Sequence, residues 1–439
     1  GLGNIWRFPY LAAKYGGGTF LFTYIILALT VGFALLVSET ALGRKTGNNP
    51  IKAYKILGAK KLKIGGWLNS IIPMLIVPYY CVVGGWVCKY LFEYLRGSSQ
   101  ILTQDTYFSN FIANPISPAF WLVVFAVLTF IVVIKGVEKG IEKVSKILMP
   151  ILVVIAIFIS IYGLMTPGAI EGLKYYIIPD FSKFSIMTVI AAMGQMFYSL
   201  SIGMGILFTY GSYMKKETSI EESTKNVEIF DTAIAIMAGL MIIPAVFAFS
   251  GGDPDTLQAG PALMFITIPK VFASMGFGTF AGVMFFLLVL FAALTSSIAL
   301  TESAVSTFED ELGWSRKKST VLCGVIMIAL GSLSSLGYGP LENVKIIGHN
   351  LWETPRFLQP QYAKSFRHVS QFLDRGARQA YREGRVDPLP AFYCQMPKYY
   401  REHPADVFFV MLTEPDEDGF CSYALNADYS VANMEAVSV

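Results

Sequence analysis

Charge is scarce in this 439-residue chain: Asp, Glu, Lys and Arg together make up 15% of it, against 54% hydrophobic residues. With a mean hydropathy of +0.53, that balance excludes an ordinary soluble globular domain over most of the length. The net charge is only +3, and no Lys/Arg-rich block with interleaved aromatics occurs, so nucleic acid is not an expected partner. Cysteine is sparse too. Cys81, Cys88, Cys323, Cys394 and Cys421 form no CxxC pair, which leaves neither a disulfide framework nor a zinc site. There is no signal peptide and no initiating Met, so the first residue is expected to be a truncation point.

What the chain does contain is membrane-length apolar runs, at roughly 20–42, 65–95, 118–134, 145–164, 186–210, 230–250, 278–304 and 319–337. A short helix is expected over 4–15. The connecting loops alternate in charge. Arg44, Lys45, Lys52, Lys55, Lys60, Lys61 and Lys63 crowd the first without an acid, and the next, 96–117, carries one Arg and one Asp. Lys135, Lys139, Lys143 and Lys146, then Lys215, Lys216 and Lys225, then Arg316, Lys317 and Lys318 mark every second connection, while 165–185 is mixed and 251–276 holds Asp253, Asp255 and only Lys270. The positive-inside rule puts the Lys-rich loops in the cytoplasm. Beyond residue 348 the composition changes: Arg356, Arg367, Arg375, Arg378, Arg382, Arg385 and Arg401 are interspersed with acids, and no run reaches about 18 apolar residues.

Two stretches break the apolar pattern. Gly1-Leu2-Gly3-Asn4-Ile5-Trp6-Arg7-Phe8-Pro9 opens the chain with residues that a lipid-exposed helix avoids. Tyr198-Ser199-Leu200-Ser201-Ile202-Gly203-Met204-Gly205 interrupts a later run. Paired interruptions in corresponding positions of two halves point to a transporter site near the midplane. Free amides there suit a carboxylate, and free carbonyls suit Na⁺. Small residues alone would also serve as packing surfaces between helices. Asp231, near the start of a span, is either a cation ligand or an interfacial helix cap. Glu39 either bonds free amides at a break or sits among headgroups. Thr295-Ser296-Ser297 either face a site or bond back to their own helix. Tyr79-Tyr80 are either a pocket lid or part of an aromatic belt. Gly140 and Pro150 mark either a weakened helix start or an ordinary one with a tolerated kink.

Together these residues resemble the neurotransmitter:sodium symporter family, most of all its bacterial amino-acid members. The resemblance rests on residues 1–9 with Gly16-Gly17-Gly18, on Glu39-Thr40-Ala41-Leu42-Gly43-Arg44 and Lys139-Gly140-Ile141-Glu142-Lys143, and on Gly194-Gln195-Met196-Phe197-Tyr198-Ser199-Leu200-Ser201, Thr295-Ser296-Ser297 and Glu309-Asp310-Glu311-Leu312. It implies an all-α polytopic membrane protein of two inverted five-helix repeats, with helices 1 and 6 broken. It implies a sodium-coupled symporter of the plasma membrane working by alternating access on amino acids, with no enzymatic activity. It further implies that Leu2, Gly3, Tyr80, Tyr198, Ser201, Met204, Ser296 and Leu300 line the substrate site. Asn4, Ser199 and Asp231 fall on one sodium site, and Ala292, Thr295 and Ser296 on a second. Arg7, Tyr80 and Tyr198 match an extracellular gate. An acid at position 231 resembles chloride-independent members, so chloride is not expected to be required. The Gly140…Pro150 spacing matches a motif that lets the fifth helix unwind. Met204 and Leu300 under the two tyrosines imply a bulky apolar L-amino acid, with membrane lipid around the domain.

This resemblance spans 1–348, from the second half of helix 1 to the start of helix 10, so the chain as given is expected to be cut at both ends of the domain, to lack the acidic partner of Arg7, and to be inactive in transport. The remainder, 349–439, is expected to be a small soluble α/β fragment. Glu383-Gly384-Arg385-Val386-Asp387, Gln395-Met396-Pro397 and Pro415-Asp416-Glu417-Asp418-Gly419-Phe420-Cys421-Ser422 resemble the first domain of acetyl-CoA hydrolase/CoA-transferase enzymes. The alternative reading is thus such an enzyme fragment fused to a membrane segment, and a splice of two gene fragments would account for both ends.

Overall fold

A computed structural model of the chain describes residues 1–58, 63–250, 261–338, 344–348, 366–370, 375–388, 398 and 401–402. Lys60, Lys61, Asp253, Asp255, Arg356, Cys394, Cys421 and the motif residues at 395–397 and 415–422 lie outside them. The chain separates into two compact units, Gly1–Pro340 and Leu341–Val439.

The first unit is helical. Helix α1 spans Leu2–Lys14 and is buried along most of its length. Helices α2 (Gly18–Leu27) and α3 (Phe33–Thr46) run on through a π-helical turn at Ala28–Gly32, giving one continuous span. The short α4 (Pro50–Ile56) starts where Asn49 accepts the Lys52 amide and Pro50 supplies a preset φ. Helix α5 covers Lys63–Leu95, and α6 (Tyr107–Ala113) lies in the loop beyond it. Then come α7 (Ser117–Ile134), a π turn at Val137–Glu142, α8 (Lys143–Leu164) and the loop helix α9 (Ala169–Ile177). Helix α10 (Ile186–Ser199) opens on a capping box made by Ser185 and Thr188, and α11 covers Ile206–Tyr213. The unit ends with α12 (Ile220–Ser250), the short α13 (Ile268–Ser274), α14 (Gly278–Leu312) and α15 (Arg316–Leu336).

Among the described residues, 7 helical spans are long and apolar enough to cross a membrane. They match seven of the apolar runs. The eighth, 186–210, is split into α10 and α11 by a non-helical connector at 200–205. Large side chains such as Leu75, Val154 and Val325 stay exposed on the outer faces of these spans, where hydrocarbon replaces water as their surroundings.

Packing sorts the spans into two groups. Helices α1, α2, α3, α10, α11 and α12 pack on one another, and α5, α7, α14 and α15 form a second group, with α8 touching both α12 and α14. Small residues permit the close approaches within each. A Cβ on Gly43 would collide with the Phe208 carbonyl, and one on Gly211 with the Thr40 carbonyl, so α3 and α11 meet backbone to backbone. In the second group, a Cβ on Gly85 of α5 would lie 2.6 Å from the Leu122 amide nitrogen of α7.

In the second unit, strands β1 (Val344–Gly348), β2 (Phe366–Ser370) and β3 (Val386–Pro388) form a parallel sheet in the order β1-β2-β3, with helix α16 (Arg375–Arg382) between the last two. This corrects one expectation. Residues 344–348 do not begin a tenth helix; they form a strand. Val344, Ile346 and Ile347 are β-branched, lose rotamer freedom in a helix, and suit an extended chain paired residue for residue with Phe366–Ser370. The Glu383-Gly384-Arg385-Val386-Asp387 motif lies across the turn into β3, where Arg385 and Gln379 bond Glu383 and hold its carboxyl below the usual range.

Candidate functional site

The α10–α11 connector carries the site. Three of its residues take left-handed backbone: Ser201 (φ 57°), Gly203 (φ 75°) and Gly205 (φ 69°). Gly adopts this conformation without strain, whereas Ser does so at a cost. The left-handed turns free amides from the helical ladder, and side chains from two other helices take them. Gly203 N donates to Glu39 Oε1 of α3 at 2.9 Å, and Gly205 N donates to Asn69 Oδ1 of α5 at 3.2 Å. Glu39 thus bonds a free amide at a break.

The first turn of α1 lies against this connector. A Cβ on Gly3 would run into the Tyr198 ring, so the α1 backbone packs directly against that ring. Next to it, Asn4, Ser199 and Asp231 come together although 195 and 227 residues separate Asn4 from the other two in sequence. Asn4 Nδ2 donates to Asp231 Oδ1 at 2.9 Å. Ser199 Oγ donates to Asn4 Oδ1 at 2.6 Å and also meets Asp231 Oδ2. The cluster presents amide, hydroxyl and carboxylate oxygens around one charged group within the membrane-spanning bundle. Hard oxygen donors with one negative charge suit a hard monovalent cation. Among the described residues, no group of three or more His, Cys, Asp or Glu side chains is placed to hold a metal.

Above the cluster, Gln195 is fully buried on α10. It accepts from the Arg7 guanidinium at 2.9 Å and donates to Gly3 O and Asn4 Oδ1, each at 3.4 Å. Arg7 lies 5.7 Å from the centre of the Tyr198 ring, and Tyr198 Oη donates to Tyr80 Oη at 3.2 Å. These contacts join Arg7, Tyr80 and Tyr198 over a cavity of about 390 Å³. Gly3, Tyr80, Tyr198, Ser201, Met204, Ser296 and Leu300 line it, as do Asn4, Ser199, Asp231 and Thr295. Leu2 is buried and does not line it, and Ala292 is fully buried in α14.

The Thr295 hydroxyl turns back to the carbonyls of Phe291 and Ala292, at 3.0 and 3.1 Å, which sets its oxygen beside the Ala292 carbonyl at the cavity edge. Ser297 faces away and accepts from Thr129 at 3.2 Å. Tyr79 packs on Trp6, with ring centres 6.4 Å apart, while Tyr80 alone of the pair reaches the cavity. Gly140 sits in the π turn before α8, and Pro150 lines a second cavity of about 680 Å³ that shares Met149, Asp231 and Thr295 with the first. Two residues central to this geometry escaped assignment from sequence, Gln195 and Asn69. The first had a usable signal, as a buried amide within an apolar run. The second stands near a span's start, where polar residues are ordinary.

A bundle of membrane spans with a cavity lined by the start of α1 and by a break between α10 and α11, with both polar and apolar side chains on its walls, is the architecture of a secondary transporter. The comparisons agree. The sequence profile of the sodium:neurotransmitter symporter family matches residues 1–102 and 108–347, and the chain belongs to that family. It is 35% identical over 361 residues to the sodium-dependent transporter YhdH of Bacillus subtilis, covering 81% of this chain and 79% of that protein. A sodium-dependent transporter of Haemophilus influenzae is 35% identical over 368 residues, covering 80% of each. The crystal structure of MhsT in complex with L-phenylalanine superposes with a TM-score of 0.71 at 40% identity, covering 79% of both chains. The protein is therefore a sodium-dependent, multi-pass plasma-membrane transporter and not an enzyme.

Proposed function

We propose that the protein carries a bulky apolar L-amino acid together with Na⁺ by alternating access. The observation that carries this reading is the mixed lining of the cavity. The backbone of Gly1 and Gly3 and the polar side chains of Ser199, Ser201 and Asp231 line it together with the apolar side chains of Ile76, Met204, Leu207 and Leu300. A volume of about 390 Å³ fits an amino acid with a branched or aromatic side chain. Met adapts to irregular shapes, so Met204 suits a class of side chains more than a single one. MhsT, similar over most of the chain, was crystallised with L-phenylalanine.

In this reading the substrate's α-carboxylate and ammonium groups lie at the breaks, and Tyr198 over Tyr80 covers them. Asn4, Ser199 and Asp231 hold one Na⁺, and Ala292, Thr295 and Ser296 hold a second. The fixed charge of Asp231 offsets the sodium charge at short range, which makes an accompanying anion unnecessary. The bovine taurine transporter, 26% identical over 360 residues, is sodium- and chloride-dependent, so chloride is where this chain is expected to part from that relative.

Proteoliposomes containing the purified protein, under an inward sodium gradient, test the reading. Uptake is expected to be competed best by phenylalanine, leucine, isoleucine and tryptophan, and to change less than twofold when gluconate replaces chloride. Preference for glycine, glutamate or lysine would refute the substrate assignment, and loss of uptake in gluconate would refute the role of the Asp231 charge.

A further inference from the structure

Asn69 sits about two turns into α5, half-buried, on the Lys-rich side of the cavity. Its side chain has two bonds. Nδ2 donates to Gly65 O, one turn back on its own helix, at 2.9 Å, and Oδ1 accepts from Gly205 N at 3.2 Å. The two bonds fix the amide's orientation, because the Gly65 carbonyl needs a donor and the Gly205 N–H needs an acceptor. Gly205 is the N-cap of α11, and a glycine has no side chain to satisfy the orphan amides there. Asn69 supplies that acceptor from another helix.

The surroundings of Gly205 form a socket. A Cβ at this position would lie 2.8 Å from Asn69 O, 3.0 Å from Ser303 Oγ and 3.1 Å from Pro50 Cγ. Helices α5, α14 and α4 thus close around one residue of the connector, and only Gly fits there with φ 69°. Ser303 Oγ is also 3.5 Å from Met204 O, the preceding carbonyl. The connector belongs to α10 and α11, which pack with α1, α2 and α3, whereas Asn69 and Ser303 belong to the group of α5, α7, α14 and α15. The bond therefore crosses from one helix group to the other, immediately beside the cavity residue Met204.

We propose that Asn69 is a positioning residue that latches the α10–α11 connector to α5, and that this latch must open when the site opens to the cytoplasm. The second half of the statement rests on the alternating-access reading above. Any motion that separates the two groups on the cytoplasmic side breaks the Gly205–Asn69 bond. A neutral hydrogen bond shifts such an equilibrium by about five- to tenfold. Losing it should favour the cytoplasm-open arrangement and weaken substrate binding by reducing the fraction of binding-competent protein.

The test uses the full chain with Cys394 and Cys421 replaced by Ser and a reporter cysteine at Thr209→Cys. Thr209 is a fully buried residue of α11 whose hydroxyl is 3.2 Å from Ser306 Oγ of α14. Labelling by a membrane-impermeant thiol reagent from the cytoplasmic side is compared with equilibrium binding of phenylalanine. Asn69→Ala is expected to label several-fold faster and to bind several-fold more weakly. Asn69→Asp, which keeps the acceptor but not the donor, is expected to match the parent in both measurements. Equal labelling of Asn69→Ala and the parent would overturn the latch. So would an Asp variant as fast as the Ala variant, since the effect would then come from the Gly65 bond or from packing. Labelling needs no uptake, so absence of sodium-driven uptake in the parent would count against the transport reading and leave the latch judged on labelling alone.

Discussion

The two helix groups meet very differently on the two sides of the cavity. On the cytoplasmic side α11 and its connector bond α5 and α14 repeatedly: Gly205 to Asn69, Met204 to Ser303, Thr209 to Ser306, and Tyr213 to Glu302 at 2.8 Å. The last contact joins a charged network. Glu302 is fully buried and takes both forks of the Arg316 guanidinium, which also bonds Val133 O at 3.0 and 2.8 Å and Glu309 at 3.4 Å. On the outer side, among the described residues, the groups share the Tyr198–Tyr80 hydroxyl bond and the packing of Trp6 on Tyr79. Arg7 and Gln195, although close by, both lie within one group. Arg316, Glu302, Glu309 and Val133 likewise lie within one group, so the bonds that cross between groups inside are four, one of them from Tyr213 to the buried Glu302 carboxylate, against one neutral hydroxyl bond outside. A hydrogen bond to a charged group contributes about 1.5–3 kcal/mol against about 0.5–1.5 for a neutral one, so under the proposed alternating access the more numerous cytoplasmic contacts weigh more in the balance between the two openings.

The sharpest way to break this asymmetry is Glu302→Ala. It leaves the Arg316 guanidinium partly buried without its main partner and strands the Tyr213 hydroxyl. The expected loss is about 3–5 kcal/mol. It should appear as a marked fall of the thermal midpoint in detergent and as loss of uptake. A midpoint unchanged from the parent would show that the network does not hold α11 to α14.

Next in size is Asp231→Asn, which keeps the shape and removes the charge. With Asn4 and Ser199 still in place, the half-saturating sodium concentration for substrate binding should rise about ten- to hundredfold, or ~1.4–2.8 kcal/mol. This change sits between the two closures and should leave the thermal midpoint without sodium nearly unaltered. Binding titrations over sodium concentration check it, and an unshifted midpoint of titration would remove Asp231 from the ion site.

Much of this was legible in sequence because the signals are local. Ser201, Gly203 and Gly205 break an apolar run, and Asn4 and Asp231 stand out against hydrocarbon, so the breaks and the intramembrane acid could be read directly. The partners could not. That Glu39 reaches Gly203, Asn69 reaches Gly205 and Gln195 reaches Arg7 depends on contacts 136 to 188 residues apart, which no periodicity encodes. The π turn at Ala28–Gly32 inserts no breaker residue before it and left no trace in the apolar pattern. At Val344–Gly348 the sequence is too short and too β-branched to decide between a helix start and a strand until Phe366–Ser370 offers a partner.

The smallest expected effect sharpens the comparison from its weaker side. Tyr198→Phe removes only the hydroxyl bonded to Tyr80; it keeps the ring on which Gly3 packs and over which Arg7 lies. A neutral bond of this kind contributes about 0.5–1.5 kcal/mol. Since it joins the groups on the outer side, its loss should favour opening outward and speed substrate release by about three- to tenfold, with little change in thermal stability. Dissociation rates of bound phenylalanine, followed after dilution, measure this directly. The same substitution combined with Asn69→Ala weakens both closures at once. If the two sides are opposed ends of one equilibrium, the double variant should regain part of the inward–outward balance lost in Asn69→Ala, and cytoplasmic labelling of the Thr209→Cys reporter should slow towards the parent rate. Labelling that stays as fast as in Asn69→Ala would show that the two sides open independently.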